Sequence, residues 1–348
     1  MNSKLIRVIV YLLLLLSGYQ VFSQDKKSTP KFMMVIHGGA GTILKSQMTP
    51  EREKAYKEAL TLALATGYQK IKAGESSVNA VEAAVRVMEN SPLFNAGKGA
   101  VFTNEGKNEL DAAIMDGSNL MAGSVAGVTT IRNPISAARA VMEKSEHVMM
   151  VGPGAEKFAA QAGLEIVDPQ YFWTKDRWNG LQRAKRQDSL KATKDSVNKK
   201  SLKLGIENRD NKFGTVGAVA LDKQGNLAAA TSTGGMTNKK FGRVGDAPLI
   251  GVGTYANKLV GISCTGWGEY FIRNVVAYDV AALMEYKNST VAEAANEVIM
   301  KKVPALGGDG GLIALDKNGN VAMPFNTAGM YRGTVTSDGR IEVFIYKD

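Results

Sequence analysis

Phe213-Gly214-Thr215-Val216-Gly217-Ala218-Val219 is the stretch on which the reading of this chain turns. Before it lies a lysine-rich segment with few large apolar residues. After it comes an apolar run that reads as a buried strand opening on a hydroxyl residue. If the Gly214-Thr215 bond is cut, Thr215 gains a free α-amine on the residue that carries the hydroxyl. The reference pKa of such an amine is about 7.7 to 8.0, so it can act as the general base that a histidine supplies elsewhere. The same hydroxyl can attack the Gly214 carbonyl in the uncut chain, and water can open the ester that results. A Gly-Thr pair opening a strand is also ordinary sheet chemistry, and the junction by itself leaves both readings open.

Composition narrows the choice. The 348 residues are 45% hydrophobic and 22% charged, enough apolar material for a packed core. His37 and His147 are the two histidines and Cys264 the one cysteine. That excludes a zinc site built from several Cys and His ligands, a disulfide framework and a histidine relay. Catalysis falls to hydroxyls, amines, amides or carboxylates. The net charge of +10 invites a nucleic-acid reading, but its distribution argues against one. Residues 170–214 hold 12 Lys and Arg against 5 Asp and Glu, Lys4 and Arg7 add to the excess, and the remainder is nearly neutral.

Residues 2–7 are short and basic, 8–16 are almost wholly apolar, and Val21-Phe22-Ser23 precedes a plausible cut, so residues 1–23 read as a secretory signal peptide. The apolar run is shorter than a spanning helix needs; an uncleaved anchor is the alternative. The expected location is periplasmic or secreted.

Along the chain, 31–36 reads as a strand running into the glycine turn His37-Gly38-Gly39-Ala40-Gly41-Thr42. Helices are expected over 50–72 and 76–89, strands over 109–115 and 122–130, helices over 134–143 and 154–162, and a strand over 147–151. A helix over 171–186 gives way to an exposed basic linker over about 187–213, far longer than the usual connection of about 4 to 6 residues. Lys223-Gln224-Gly225, Lys317-Asn318-Gly319 and Ser337-Asp338-Gly339 mark three hairpins. A strand over 260–264 and helices over 269–285 and 291–301 lie between them. Strands group with strands and helices with helices, which predicts antiparallel or mixed sheets with helical layers outside. Gly307-Gly308-Asp309-Gly310-Gly311 lacks the Lys-Ser/Thr of a phosphate loop, against nucleotide binding.

An ordered set of words then stands out. They are His37-Gly38-Gly39-Ala40-Gly41, Phe94-Asn95-Ala96-Gly97-Lys98-Gly99, Gly214-Thr215-Val216-Gly217, Thr231-Ser232-Thr233-Gly234-Gly235, Gly242-Arg243-Val244-Gly245-Asp246, Cys264-Thr265-Gly266-Trp267-Gly268-Glu269 and Pro324-Phe325-Asn326-Thr327-Ala328-Gly329. Together they resemble the plant-type asparaginases, or isoaspartyl peptidases, of the N-terminal nucleophile hydrolases, from about Met33 to Tyr346. The resemblance implies an α+β fold, a four-layer αββα sandwich. It also implies autocleavage after Gly214 into an α subunit (24–214) and a β subunit (215–348) that stay associated and dimerise to (αβ)2. The implied activity is hydrolysis of L-asparagine and of β-aspartyl dipeptides, with no organic cofactor and no nucleic-acid partner.

Residue by residue, the resemblance makes Thr215 the nucleophile and Thr233 its hydrogen-bonding helper. Arg243 and Asp246, in the loop with Val244 and Gly245, become the clamp on the substrate's α-carboxylate and α-ammonium, a pairing that suits a guanidinium fork and a carboxylate. Thr265 and Gly266 match the oxyanion hole, with Gly268 beside them, and Asn95 lies close to the nucleophile. Trp267 departs from the small or polar residue expected there and bears on the leaving group. The backbone carbonyls of Met88, Glu89, Ser91, Phe94, Ala96 and Lys98 resemble a structural sodium loop. His37 is read as a buried hydrogen-bonded residue and Cys264 as core. A glycosylasparaginase, which accepts a sugar on the amide nitrogen, and a non-catalytic binding protein of the same fold are the rival readings.

Overall fold

The computed structural model describes residues 32–197 and 214–347, for 191–197 the backbone only. The expected leader and the second half of the expected linker fall outside these residues.

Helices start where the sequence supplies caps. In α1 (Pro50–Lys72) the Thr49 hydroxyl accepts from the Arg52 N–H at 3.2 Å, Pro50 occupies the first turn, and Glu51 and Glu53 sit at the positive end of the dipole. Ser76 caps α2 (Ser77–Glu89) in the same way through Asn79. The two helices pack together on one face of a sheet, beside α3 (Pro134–Lys144) and α4 (Gly152–Gln161).

That sheet contains β1 (Met33–Gly41), β2 (Leu110–Asp116), β3 (Ala122–Val128), β4 (Met149–Val151), β5 (Val216–Leu221), β6 (Leu227–Thr233), β11 (Gly329–Val335) and β12 (Ile341–Tyr346). Their order across it is β12-β11-β1-β5-β6-β2-β3-β4. All pairings are antiparallel except β3 with β4. A second, antiparallel sheet has the order β10-β9-β8-β7, from β7 (Thr254–Ala256), β8 (Val260–Gly266), β9 (Gly310–Asp316) and β10 (Val321–Ala322). Its outer face carries α6 (Gly268–Asn274), α7 (Val276–Lys287) and α8 (Val291–Glu297). The result is the four-layer αββα sandwich.

Strand alternation explains the layering. Met34 and Ile36 of β1 join the helix-facing core, while Val35 between them joins the cluster trapped between the sheets with Val219, Ile313 and Phe325. Both faces of β1 are covered, so the strand reads as an unbroken apolar run. Leu60 on α1 is fully buried in the first cluster, where truncation to alanine costs about 2 to 5 kcal/mol. The three hairpin turns form where expected, with Gly225, Gly319 and Gly339 at positive φ. In two of them one Asp side chain organises the turn: Asp222 accepts from Gln224 and Asn226, and Asp316 from Asn318 and Asn320.

Four expectations need correction. The glycine word after Ile36 is not a turn: β1 continues through it to Gly41, with a register shift between His37 and Gly39 that glycine backbones accommodate. The helix expected over 269–285 is broken at Val275, which adopts φ 49° and separates α6 from α7. The return strand after Gly319 shortens to Val321–Ala322 because Pro324, without an N–H, cannot continue the ladder. The basic segment after Arg186 does not become extended at once. The helix α5 (Lys175–Val197) runs eleven residues further, anchored by buried Leu181 and Ala184 and by Trp178 edge-on to Phe102 at 5.3 Å.

Candidate active site

Three hydroxyl residues meet at one end of the two facing sheets. Thr215 immediately precedes β5, Thr233 ends β6, and Thr265 is next to last in β8. The Thr215 hydroxyl donates to Thr233 Oγ1 at 3.0 Å, and that oxygen also accepts from the Gly235 N–H at 3.0 Å. Thr265 Oγ1 accepts from the Ala40 N–H at 3.2 Å, which leaves its own proton available to an oxygen in the cleft. Gly266 has no room for a side chain, since a Cβ would lie 2.5 Å from the Phe271 ring.

The segment ahead of Thr215 is held as closely. Gly214 has φ +97°, a conformation natural to glycine, and its Cα lies where a Cβ on Gly39 would point, 2.1 Å away. The Asn95 main-chain N–H donates to the Gly214 carbonyl oxygen at 3.2 Å. The Asn95 side chain is committed elsewhere, donating to the Gly235 carbonyl and accepting from Val101. Asn95 therefore touches the junction through its backbone, a role that its side-chain type gives no hint of.

Opposite Thr215 stand Arg243 and Asp246. The guanidinium forms a two-pronged pair with Glu269, Nε at 3.0 Å and Nη2 at 2.9 Å. Gly245 and Gly268 make space for it, since a Cβ at either would come within 2.7 Å of an Arg243 nitrogen. Buried Asp246 has no partner on Oδ2, and burial pushes its carboxyl up to about 7 against the pull of Arg243. A buried carboxylate oxygen without a partner can accept hydrogen bonds from an ammonium group, and the guanidinium beside it can donate to a carboxylate. Asp111, in register with Thr233, is also buried and raised by desolvation, with Lys239 and Arg243 opposing.

Ala40, Asn95, Gly214, Thr215, Thr233, Arg243, Gly245, Asp246, Thr265 and Gly266 all line one cleft of about 30 Å³, about the share of one water in the liquid. Val244, Trp267 and Gly268 are not among its walls. The Trp267 ring packs edge-on to Tyr270 at 4.9 Å, and the Trp267 main-chain N–H donates to the Asp309 carbonyl. A larger hollow of about 810 Å³ on the outer face of α1 shares no lining residue with this cleft.

Behind the cleft, His37 Nε2 lies 2.9 Å from Ser263 Oγ, which meets Thr231 Oγ1 at 2.7 Å, and Thr254 donates to Thr231. Burial drives the His37 imidazole down to about 3, with the Thr215 main chain opposing, so it stays neutral. Cys264 is buried and its thiol is pushed up, which leaves it unreactive. Sequence reasoning missed Glu269 as the partner of Arg243, Ala40 as the donor to Thr265, and Ser263. Glu269 and Ala40 lie inside quoted words, but their contacts span 26 and 225 residues.

The loop 88–98 folds back on itself. A Cβ on Gly97 would fall 2.3 Å from the Glu89 carbonyl oxygen, and one on Gly99 would fall 2.0 Å from that of Phe94 and 2.7 Å from that of Pro92. Side-chain-free positions thus let main-chain oxygens of the loop approach its backbone closely. Arg177 of α5 braces the loop by donating to the Gly99 and Leu93 carbonyls. Glu89 ties it to β6 and α3 through Ser232, Asn133 and Ile135, and burial raises its carboxyl to about 7.

Three threonine hydroxyls, a guanidinium and a buried carboxylate share one cleft, a set that can serve amide hydrolysis. The family profile described as asparaginase matches residues 30–345, and the chain belongs to that family. It is similar to the isoaspartyl peptidases of Escherichia coli, at 54% identity over 87% of this chain and 92% of the relative, and of Salmonella typhimurium, at 53% over 87% and 94%. It is also 43% identical to the plant-type L-asparaginase of Pyrococcus furiosus, over 85% of this chain and 94% of the relative.

Proposed function

We propose that the chain is a threonine hydrolase that cuts itself between Gly214 and Thr215, then hydrolyses L-asparagine and β-aspartyl dipeptides. The unpartnered Asp246 oxygen beside Arg243, across one small cleft from the Thr215 hydroxyl, carries this reading. Before cutting, the Thr215 hydroxyl attacks the Gly214 carbonyl, whose oxygen already accepts from the Asn95 N–H. Collapse of that adduct breaks the C–N bond, which frees the Thr215 α-amine and leaves an ester; water then opens the ester to the Gly214 carboxylate and the Thr215 hydroxyl. In the mature enzyme that amine takes the Thr215 hydroxyl proton as the oxygen attacks the substrate's side-chain carbonyl. Thr265 stabilises the oxyanion, Thr233 orients the nucleophile, and ammonia or an amino acid leaves. Water then releases aspartate. The clamp reads only the aspartyl half, so one site serves both substrates. The names of the relatives support dipeptides over glycosylated asparagine.

The same reading includes α and β subunits that remain together and pair to (αβ)2, a leader over residues 1–23 for export to the periplasm or beyond, and a structural sodium. The carbonyls of Met88, Glu89, Ser91, Phe94, Ala96 and Lys98 would hold that ion, which supplies rigidity to the loop bearing Asn95 and no chemical step. Denaturing electrophoresis with N-terminal sequencing tests the central claim. Two fragments, one beginning at Thr215, and a single inactive band for Thr215→Ala are expected. An uninterrupted chain that hydrolyses asparagine at full rate would overturn it.

A further inference from the structure

The cleft at Thr215 shares two wall residues, Ala40 and Gly266, with a second cleft of about 590 Å³ that is walled also by Thr42, Asp309, Asn326 and Thr327. Gly266 stands at the oxyanion end of the first cleft, and Arg243 and Asp246 occupy its other walls. A substrate whose aspartyl half sits on the clamp therefore directs its leaving group toward the larger space.

The chemistry of that space is lopsided. Asn326 is spent on backbone, accepting from Gly310 and donating to the Ile299 carbonyl, and the Thr327 hydroxyl donates to Gly329. Asp309 is the one charged residue among the lining residues, and among the described residues its carboxylate has no hydrogen bond or ion pair. Arg273, stacked over Tyr270 on the neighbouring helix, does not line the cleft. The stretch Gly307–Gly311 explains the placement. A Cβ at Gly308 would lie 2.7 Å from Tyr270, at Gly310 2.5 Å from the Thr265 carbonyl, and at Gly311 2.6 Å from Phe325. Position 309 accepts a side chain between them, and its backbone is pinned by the Trp267 N–H on its carbonyl.

We propose that this second cleft seats the residue released from a β-aspartyl dipeptide, and that Asp309 selects substrates whose second residue is basic. The inference rests on the dipeptidase reading above and adds its leaving-group preference. Every such residue brings its own α-carboxylate toward Asp309. A lysine or arginine side chain offsets that repulsion, a leucine does not, and a glutamate adds to it.

The test compares kcat/KM for β-aspartyl-lysine, β-aspartyl-leucine and β-aspartyl-glutamate with the processed enzyme. One partly exposed charge is worth up to about fivefold, so attraction and repulsion together set a lysine-to-glutamate ratio of about tenfold, shrinking at about 0.5 M salt. Asp309→Asn brings the ratio to about twofold or less, and Asp309→Lys inverts the order. Ratios within one protein are insensitive to a general loss of activity. A wild-type ratio near one, or a ratio that survives Asp309→Asn, overturns the assignment of Asp309. Absence of cleavage of all three dipeptides by an enzyme that hydrolyses asparagine overturns the dipeptidase reading instead, and this inference with it.

Discussion

The two ends of the reaction cleft are built on opposite plans. At the aspartyl end, Arg243 and Asp246 crowd into a space near one water in volume, backed by Glu269 and by glycines whose missing side chains make the fit possible. At the other end the walls are mostly backbone and small residues around a volume of about 590 Å³, with one carboxylate. On the proposed function, recognition is concentrated where both substrates are identical, and the roomy end has space for anything from ammonia to an amino acid, with Asp309 as its one charge. A tight, densely charged seat and a loose one with a single carboxylate make different demands on mutation.

The sharpest break of this contrast is Arg243→Ala, which leaves buried Asp246 without its counter-ion and the α-carboxylate without its fork. Steady-state kinetics should show kcat/KM for asparagine falling by about a thousandfold. Thr265→Val removes one oxyanion donor while keeping shape, and kcat should drop by about a hundredfold or more, with little change in KM. Acidity should sharpen the contrast next. Burial raises Asp246 to about 7 in the empty enzyme, so below that pH it becomes neutral and loses its hold on ammonium. A pH series should show kcat/KM falling about tenfold per unit once the Thr215 α-amine protonates, from its reference range of about 7.7 to 8.0, and steepening toward about a hundredfold per unit below 7, because a bound ammonium also requires ionised Asp246. The smallest effect belongs to Glu269→Ala. Glu269 only steadies the guanidinium from a half-exposed position, so KM should rise about threefold with kcat nearly unchanged.

Much of the layered fold was legible because its signals are local. Caps at Thr49 and Ser76, three glycine turns and alternating apolar runs each act within a few residues. The break at Val275 left no trace, since positive φ runs against a β-branched residue's own preference and the residue itself is exposed, while Phe271 and Val276 on either side are buried in the core. The helical extension to Val197 was hidden by lysines, which a solvent-facing helix and a linker share. At the site, Thr215, Thr233, Arg243, Asp246, Thr265 and Gly266 were readable because glycine-bearing words surround them. What those residues touch was not. The hydrogen bond from Asn95 to Gly214 uses main-chain atoms common to every residue, and the Arg243–Glu269 pair joins two words across a fold that no single word contains.

Strand β5 lies in the interior of the larger sheet, with β1 on one side and β6 on the other. Fresh chain ends ordinarily fray, because nothing holds their first residues. Here Val216 is already bonded across to Ser232 and Gly217 to His37, and a methyl group on Gly217 would collide with the Ser263 hydroxyl. The proposed cut ahead of Thr215 would therefore yield an end moored one residue in, on both flanks. Its amine would stay beside its own hydroxyl instead of drifting into solvent, so that backbone hydrolysis would assemble the catalyst without loosening it.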